Sequence, residues 1–535
     1  MKKKITAIIL AVSIVFSVMI IPAYANEDVT NPALQKVYTV LDDVVNTLVG
    51  GIAAMIKTPN WGKKSDYKTE NFYPGYTKDQ YKTEASENDT WKIGYSNASL
   101  LTGKELDGSG DYYVGGSLSV TKKLATDQFD DQKVRTIAVS DGRGVSIFAV
   151  LDAYGIANTD VRAMRKIIAD WAAENDVELT SINISALHQH SCVDTFGMNG
   201  DIVSALFLSS IRSLLGIQLP SGQNKDYMEN LYKVTTDSMK NAINNMESGK
   251  LYYGEVDVSE YIRDKRDPQV FDKMLHRFRF VPDNTESKET WIVNGAIHCV
   301  GNGAAHTELT GDYPYYMEKE INENYNSNFF YIQGAELAIS SQYAPIELDE
   351  EKVAAEGSRY EIPVYAHALT SKLLTIEDET ELAPIFNITF KEVWVDIDNN
   401  ILVLAAKGGL LVNNVRRNGL GKFAIVSEVG YCEFGKDIAV SIISGELAPE
   451  IAFGGADTAE TSWYGEDWNY TSFKDLASDR ELIVFGLTND QIGYLITANN
   501  WHSYFTENEE IVSAGRYAGQ QITEAYTSLY KEVKG

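Results

Sequence analysis

Two histidines one residue apart, His188 and His190, lie in the stretch ISALHQHSCVD of a 535-residue chain that holds only seven histidines. If the apolar strand before them continues, side chains at i and i+2 share a face, and two imidazoles on one face suit a metal ion. Three more residues close apolar runs in the same way: His298 ends WIVNGAIHCV, Glu446 follows AVSIISG, and Tyr494 lies in GLTNDQIGYLIT. Zinc takes imidazole, carboxylate and thiolate ligands, and a catalytic zinc keeps one position open for water. Each residue also has an ordinary use. A histidine at a strand end more often caps a carbonyl, a Glu after Gly is usually a solvated turn residue, and a Tyr in a sheet is usually core. Tyrosine is also an uncommon metal ligand.

The elements that must position these residues read as α/β: one large layered domain of mixed sheets flanked by helices, with the metal site at strand ends. VRTIAVSDGRGVSIFAVLDAYG gives two strands around a turn at Asp141-Gly142. A helix follows in NTDVRAMRKIIADWAAEND, with Asn158, Thr159 or Asp160 as N-cap, and VELTSINISALHQHS is a buried strand. KDYMENLYKVTTDSMKNAINNM and YPYYMEKEINENY read as helices. WKIGYSNASL, WIVNGAIHCV, NFFYIQGAELAIS, FNITFKEVWVDI, NILVLAAKG, KDIAVSIISG and ELIVFGLTND read as strands, and DIDNN as a hairpin turn. The apolar insert DIVSALFLSSIRSLLGIQLPSG after the histidine pair is either a core helix or an apolar wall beside a site.

Residues 1–25 read as a signal peptide: a Lys-rich start, an apolar run and the small-x-small end Ala23-Tyr24-Ala25. Residues 26–89 read as an amphipathic helix over Pro32 to Lys57 and a polar linker, and 90–535 as the catalytic domain. No transmembrane segment is expected once the signal is removed. Its removal takes three lysines and no acid, so a formal charge of -28 drops by three to -31. Such a surface repels nucleic acid and suits a secreted or cell-surface protein. No feature specifies an oligomeric state.

Set together, four segments resemble the neutral (non-lysosomal) ceramidase family. ALHQHS resembles its Thr-His-Thr-His-Ser strand end, and WIVNGAIHCVGNG with LTGDYPYYMEKEI is similar to its second histidine segment. ISGELAPEI resembles its x-Glu turn, and GLTNDQIGYLIT its Gly-Leu-Thr-Asn-x4-Tyr-x-x-Thr strand. The resemblance implies Zn2+ held by His188, His298, Glu446 and Tyr494, with His190 facing the substrate carbonyl. It implies hydrolysis of an N-acyl amide, with a lipid-like or other small-molecule amide as substrate.

Three departures bear on that reading. Ser340 falls where the family has its loop serine, but Leu337-Ala338 replaces a Gly-polar pair. The family's basic loop corresponds to IRDKRDPQ, where Arg263, Lys265 and Arg266 are candidates and Arg266 is taken as catalytic. A counterpart of the family's C-terminal β-sandwich-like domain is not expected after Tyr494. Two further readings stay open: a non-enzymatic relative that binds a lipid, glycan or cell-wall component, and a zinc esterase or amidase on another extracellular substrate. Cys192 and Cys299 flank the histidines, either as a disulfide tying two strand ends or as buried thiols. His276, His306, His367 and His502 read as structural.

Overall fold

The computed structural model describes residues 32–116, 123–199, 223–303, 306–409, 411–506 and 510–535. The signal-peptide segment and the apolar insert at 201–222 lie outside them.

Two mixed sheets carry the fold. The strands of the first are β1 (Trp91–Ser99), β2 (Lys133–Ser140), β3 (Val145–Leu151), β4 (Leu179–Ala186), β5 (Glu247–Asp257), β6 (Met274–Pro282), β7 (Thr290–Gly295) and β8 (Asn328–Gln333). They run in the order β8-β7-β6-β5-β1-β2-β3-β4, with Thr380–Leu382 added beside β5. The outermost pairs, β8 with β7 and β3 with β4, are parallel, and the pairs between them are antiparallel. The second sheet orders β9 (Phe386–Ile397), β10 (Phe423–Phe434), β11 (Ile438–Ile443) and β12 (Glu481–Phe485) in sequence, with Val415–Arg417 beside β10. Every residue of β7, β10 and β11 is buried, as expected for strands covered on both faces.

The helices include α1 (Pro32–Met55), α2 (Asn158–Glu174), α3 (Lys225–Asn244), α4 (Asp312–Tyr325), α5 (Ser358–Leu373), α6 (Asn400–Lys407) and α7 (Ala518–Lys534). Helix α2 is pinned to the second sheet by a charge-assisted fork. Arg165 Nη1 and Nη2 donate to the two carboxylate oxygens of Glu428 on β10 at 2.8 and 2.9 Å, with both side chains buried.

Several local readings are corrected. The α2 N-cap is Ala157, without a side-chain cap. The cap comes from far along the chain: Asp490 Oδ1 accepts from the Asn158 backbone N–H at 3.0 Å, while the Asn158 side chain donates to Glu428. NILVLAAKG is the helix α6, not a strand, because Asn399 accepts from the N–H groups of Ile401 and Leu402 and caps it. DIDNN is therefore a strand-to-helix junction rather than a hairpin turn. Helix α1 is long and apolar enough to cross a bilayer by length and composition alone. Here it packs on α6 and buries Val49, Ile52 and Ala53 in the core shared with the second sheet.

Candidate metal centre

The two histidine segments reach each other because the first sheet brings its two ends together. Gln333, the last residue of β8, donates from Nε2 to the Leu187 carbonyl at 3.0 Å and to the Ile297 carbonyl at 2.7 Å. Each carbonyl belongs to the residue just before a histidine. One residue beyond each histidine, Gln189 and Cys299 form a parallel bridge, and the His190 N–H donates to the Cys299 carbonyl at 3.0 Å.

His188 does not continue the strand. β4 ends at Ala186, and His188 has φ +59°, a left-handed conformation that a non-glycine residue rarely holds without an outside constraint. The i, i+2 argument for a shared strand face therefore does not apply, yet the rings still meet. The His188 ring lies edge-to-face with His190 at 4.7 Å and with His298 at 4.9 Å, and it stacks on Tyr154 at 4.5 Å. Gly116 supports the turn, since a Cβ there would come within 2.5 Å of the His190 Cα.

His188 Nε2 and His298 Nε2 lie 3.2 and 3.3 Å from the same oxygen, Oε2 of Glu446. All three side chains are buried, yet that oxygen accepts no hydrogen bond from either ring. His188 Nδ1 is 2.8 Å from the Tyr154 carbonyl and His298 Nδ1 is 3.0 Å from the Ile339 carbonyl, so in the neutral ring each Nδ1–H donates outward and Nε2 is the atom left to face Glu446. Glu446 Oε1 accepts from Gln491 Nε2 at 2.8 Å. The ligand atoms of His188, His298 and Glu446 all lie within 4.8 Å of one another, and the two nitrogen–oxygen distances match the roughly 3.3 Å between neighbouring ligand atoms of a tetrahedral ion with bonds of about 2.0–2.1 Å. The residues present fit a divalent metal.

The electrostatics agree with a site made for a cation. Burial works against charge on His188, but the carboxylates of Glu446 and Glu336 outweigh it and raise the imidazole pKa. His298 is pushed up to about 10 by the same two carboxylates acting against burial. Burial also opposes charge on Glu446, and the two imidazoles overcome it, holding the carboxyl below its usual range. His190 goes the other way: burial, then His188 and His298, hold it well below its ordinary value. Its Nε2 has no hydrogen-bond partner among the described residues.

Tyr494 is buried in a two-residue strand that pairs in parallel with Glu446–Leu447, so its backbone lies directly beside that of Glu446. Ser340 sits on a short strand paired with Ile262–Asp264, one residue after the carbonyl that receives the His298 Nδ1–H. The Arg266 guanidinium donates to Glu510 at 2.8 Å and to the Asn500 carbonyl at 2.7 Å. Of the three basic candidates, it is Lys265 whose charge acts on His190. No disulfide joins Cys192 to Cys299: both are buried free thiols, and backbone pairing already ties their strand ends together. The sequence reading missed Tyr154, Gln333, Gln491 and Glu336. The last had a visible signal, an acidic residue inside the small, apolar loop QGAELAIS.

An apolar cleft opens beside the centre, and its lining includes Glu446, Tyr154, Phe196, Leu402, Ala406 and Ile492.

The protein is thus a mixed α/β protein with a buried histidine–carboxylate cluster at its strand ends. Its fold is that of the neutral ceramidases. The neutral ceramidase from Pseudomonas aeruginosa superposes with a TM-score of 0.60 at 12% identity, over 84% of this chain and 75% of that one. A ceramidase complexed with C2 superposes with a TM-score of 0.59 at 13% identity, over 83% and 76%. No family model and no curated protein matches the sequence.

Proposed function

We propose that this protein is an exported zinc-dependent amidohydrolase that cleaves the amide bond of an N-acyl lipid. The observation that carries the reading is the Glu446 oxygen, set 3.2 and 3.3 Å from two imidazole nitrogens and hydrogen-bonded to neither, on a residue that lines an apolar cleft. Two imidazoles and a carboxylate suit zinc, and in this reading Tyr494, beside Glu446, completes the ligand set. When bound, zinc supplies Lewis acidity and a water activated near neutral pH.

The chain's own residues do the rest. The cleft excludes water and holds an acyl chain with its amide end at Glu446. His190 offers an unpaired Nε2 to the substrate carbonyl or its oxyanion. Ser340 and Lys265 border the same region and orient the polar part of the substrate. Arg266, through Glu510, braces the loop that carries them.

The test is twofold. Elemental analysis of the purified chain is expected to find about one zinc per molecule, largely lost in His188→Ala. Incubation with ceramides, N-acyl amino acids and N-acylethanolamines is expected to release fatty acid. Zinc without any acyl turnover would favour a lipid-binding relative instead, and absence of metal would overturn the proposal.

A further inference from the structure

Glu336 is a fully buried carboxylate in the loop between β8 and the Ile339–Ser341 strand, and neither of its oxygens accepts a hydrogen bond among the described residues. Leaving an ionisable group in that state is costly unless a charge compensates it. Its position is fixed from both sides. The Ile339 N–H donates to the Glu336 carbonyl at 2.8 Å, and the Leu337 N–H donates to the Leu447 carbonyl, next to Glu446, at 3.3 Å. Its Oε2 lies 2.7 Å from His298 Nδ1, the ring nitrogen that faces away from Glu446.

We infer that Glu336 is a positioning residue for the metal centre, acting through His298. This rests on the metal reading given above and assigns a role within it. A carboxylate beside Nδ1–H holds the ring in one tautomer and orientation and makes the opposite nitrogen a stronger donor to a cation. The second buried negative charge also balances a divalent ion: two carboxylates and a 2+ charge leave the cluster neutral. His188 lacks such a partner, since its Nδ1 meets only the Tyr154 carbonyl. The two histidines are therefore unequal ligands, and His298 is the stronger.

The experiment uses the full chain, stripped of metal and titrated with Zn2+ against a competing chelator. In parallel, Co2+ is added and its visible absorption recorded. Glu336→Gln, which keeps shape and removes charge, is expected to bind zinc about 10–100-fold more weakly. Stoichiometry and the Co2+ spectrum should be retained, because the ligand atoms are unchanged. Glu336→Asp should recover part of the affinity. Without metal, Glu336→Gln should melt below wild type, because it removes the carboxylate that lies 2.7 Å from the His298 ring. Wild-type affinity in Glu336→Gln would overturn the inference. A changed Co2+ spectrum would overturn it too, by making Glu336 a direct ligand. If wild type itself binds no metal, the failure belongs to the metal reading instead.

Discussion

Oε2 of Glu446 stands 3.2 Å from Nε2 of His188 outside hydrogen-bond geometry, while Nδ1 of the same ring meets the Tyr154 carbonyl at 2.8 Å. In the neutral ring two lone pairs face each other across that gap. Either a proton on Nε2 or a metal ion between the two atoms relieves the arrangement, and the two compete for one place.

Glu446→Gln should separate metal binding from folding. The amide keeps the shape and the contact with Gln491 but removes the anionic donor. Bound metal should fall from about one ion per chain to a small fraction of that. The metal-free melting temperature should fall as well, because His188 and His298 lose their shared carboxylate, but the transition should stay cooperative. Elemental analysis beside calorimetry reads both quantities. Equal loss of metal and of cooperative melting would make Glu446 a structural residue.

Gln333 should prove more important to folding than any ligand. Its single Nε2 serves the carbonyls of Leu187 and Ile297, both buried. In Gln333→Leu each carbonyl loses a partner at about 1–3 kcal/mol apiece, so a total of roughly 2–6 kcal/mol is expected in urea unfolding. Metal affinity should fall with it, because the two histidine segments are no longer locked in register. A variant as stable as wild type would show that water replaces the amide.

Much of this centre was legible in the sequence because strand ends are marked by composition. ISALHQHS, WIVNGAIHCV and SIISGEL each finish an apolar run with a polar side chain. Which ring atom faces which partner was not legible. It depends on the left-handed turn at His188 and on carbonyls from Tyr154 and Ile339, distant in the chain. Helix α6 was misread because Ile401 and Val403 favour strands locally, whereas the Asn399 cap and burial against α1 decide for helix. Glu336 shows the same limit: an acid in an apolar loop draws notice, but its partner lies 38 residues earlier at His298.

His276 gives the fold a pH dependence away from the metal centre. It is buried on β6, with Asp272 at 3.0 Å, Glu255 at 3.3 Å and the Tyr253 hydroxyl at 2.8 Å. Burial lowers its pKa, and the two carboxylates more than reverse this, pushing it up to about 10 from an ordinary 6.5. A raised folded pKa stabilises fully below the unfolded value and is lost as pH climbs through the folded one. Wild type should therefore exceed His276→Gln in melting temperature most at pH 6, with the gap closing between pH 6.5 and 10. A gap constant over that range would mean the ring is neutral in the fold.

The acyl-chain reading of the cleft makes its own demand on Ala406. This residue is on α6, buried, and lines the cleft that Glu446 also lines. Ala406→Phe adds a ring to that lining without touching the histidines or Glu446. Metal content should stay at the wild-type level, whereas turnover should shift toward shorter acyl chains. Long-chain substrates should lose about tenfold or more in kcat/KM, since excluding even two methylenes forfeits about 1.6 kcal/mol of burial. A set of N-acyl substrates differing only in chain length reads the effect directly. If every chain length slows by the same factor, the cleft does not hold the acyl group, and the substrate must approach Glu446 from another side.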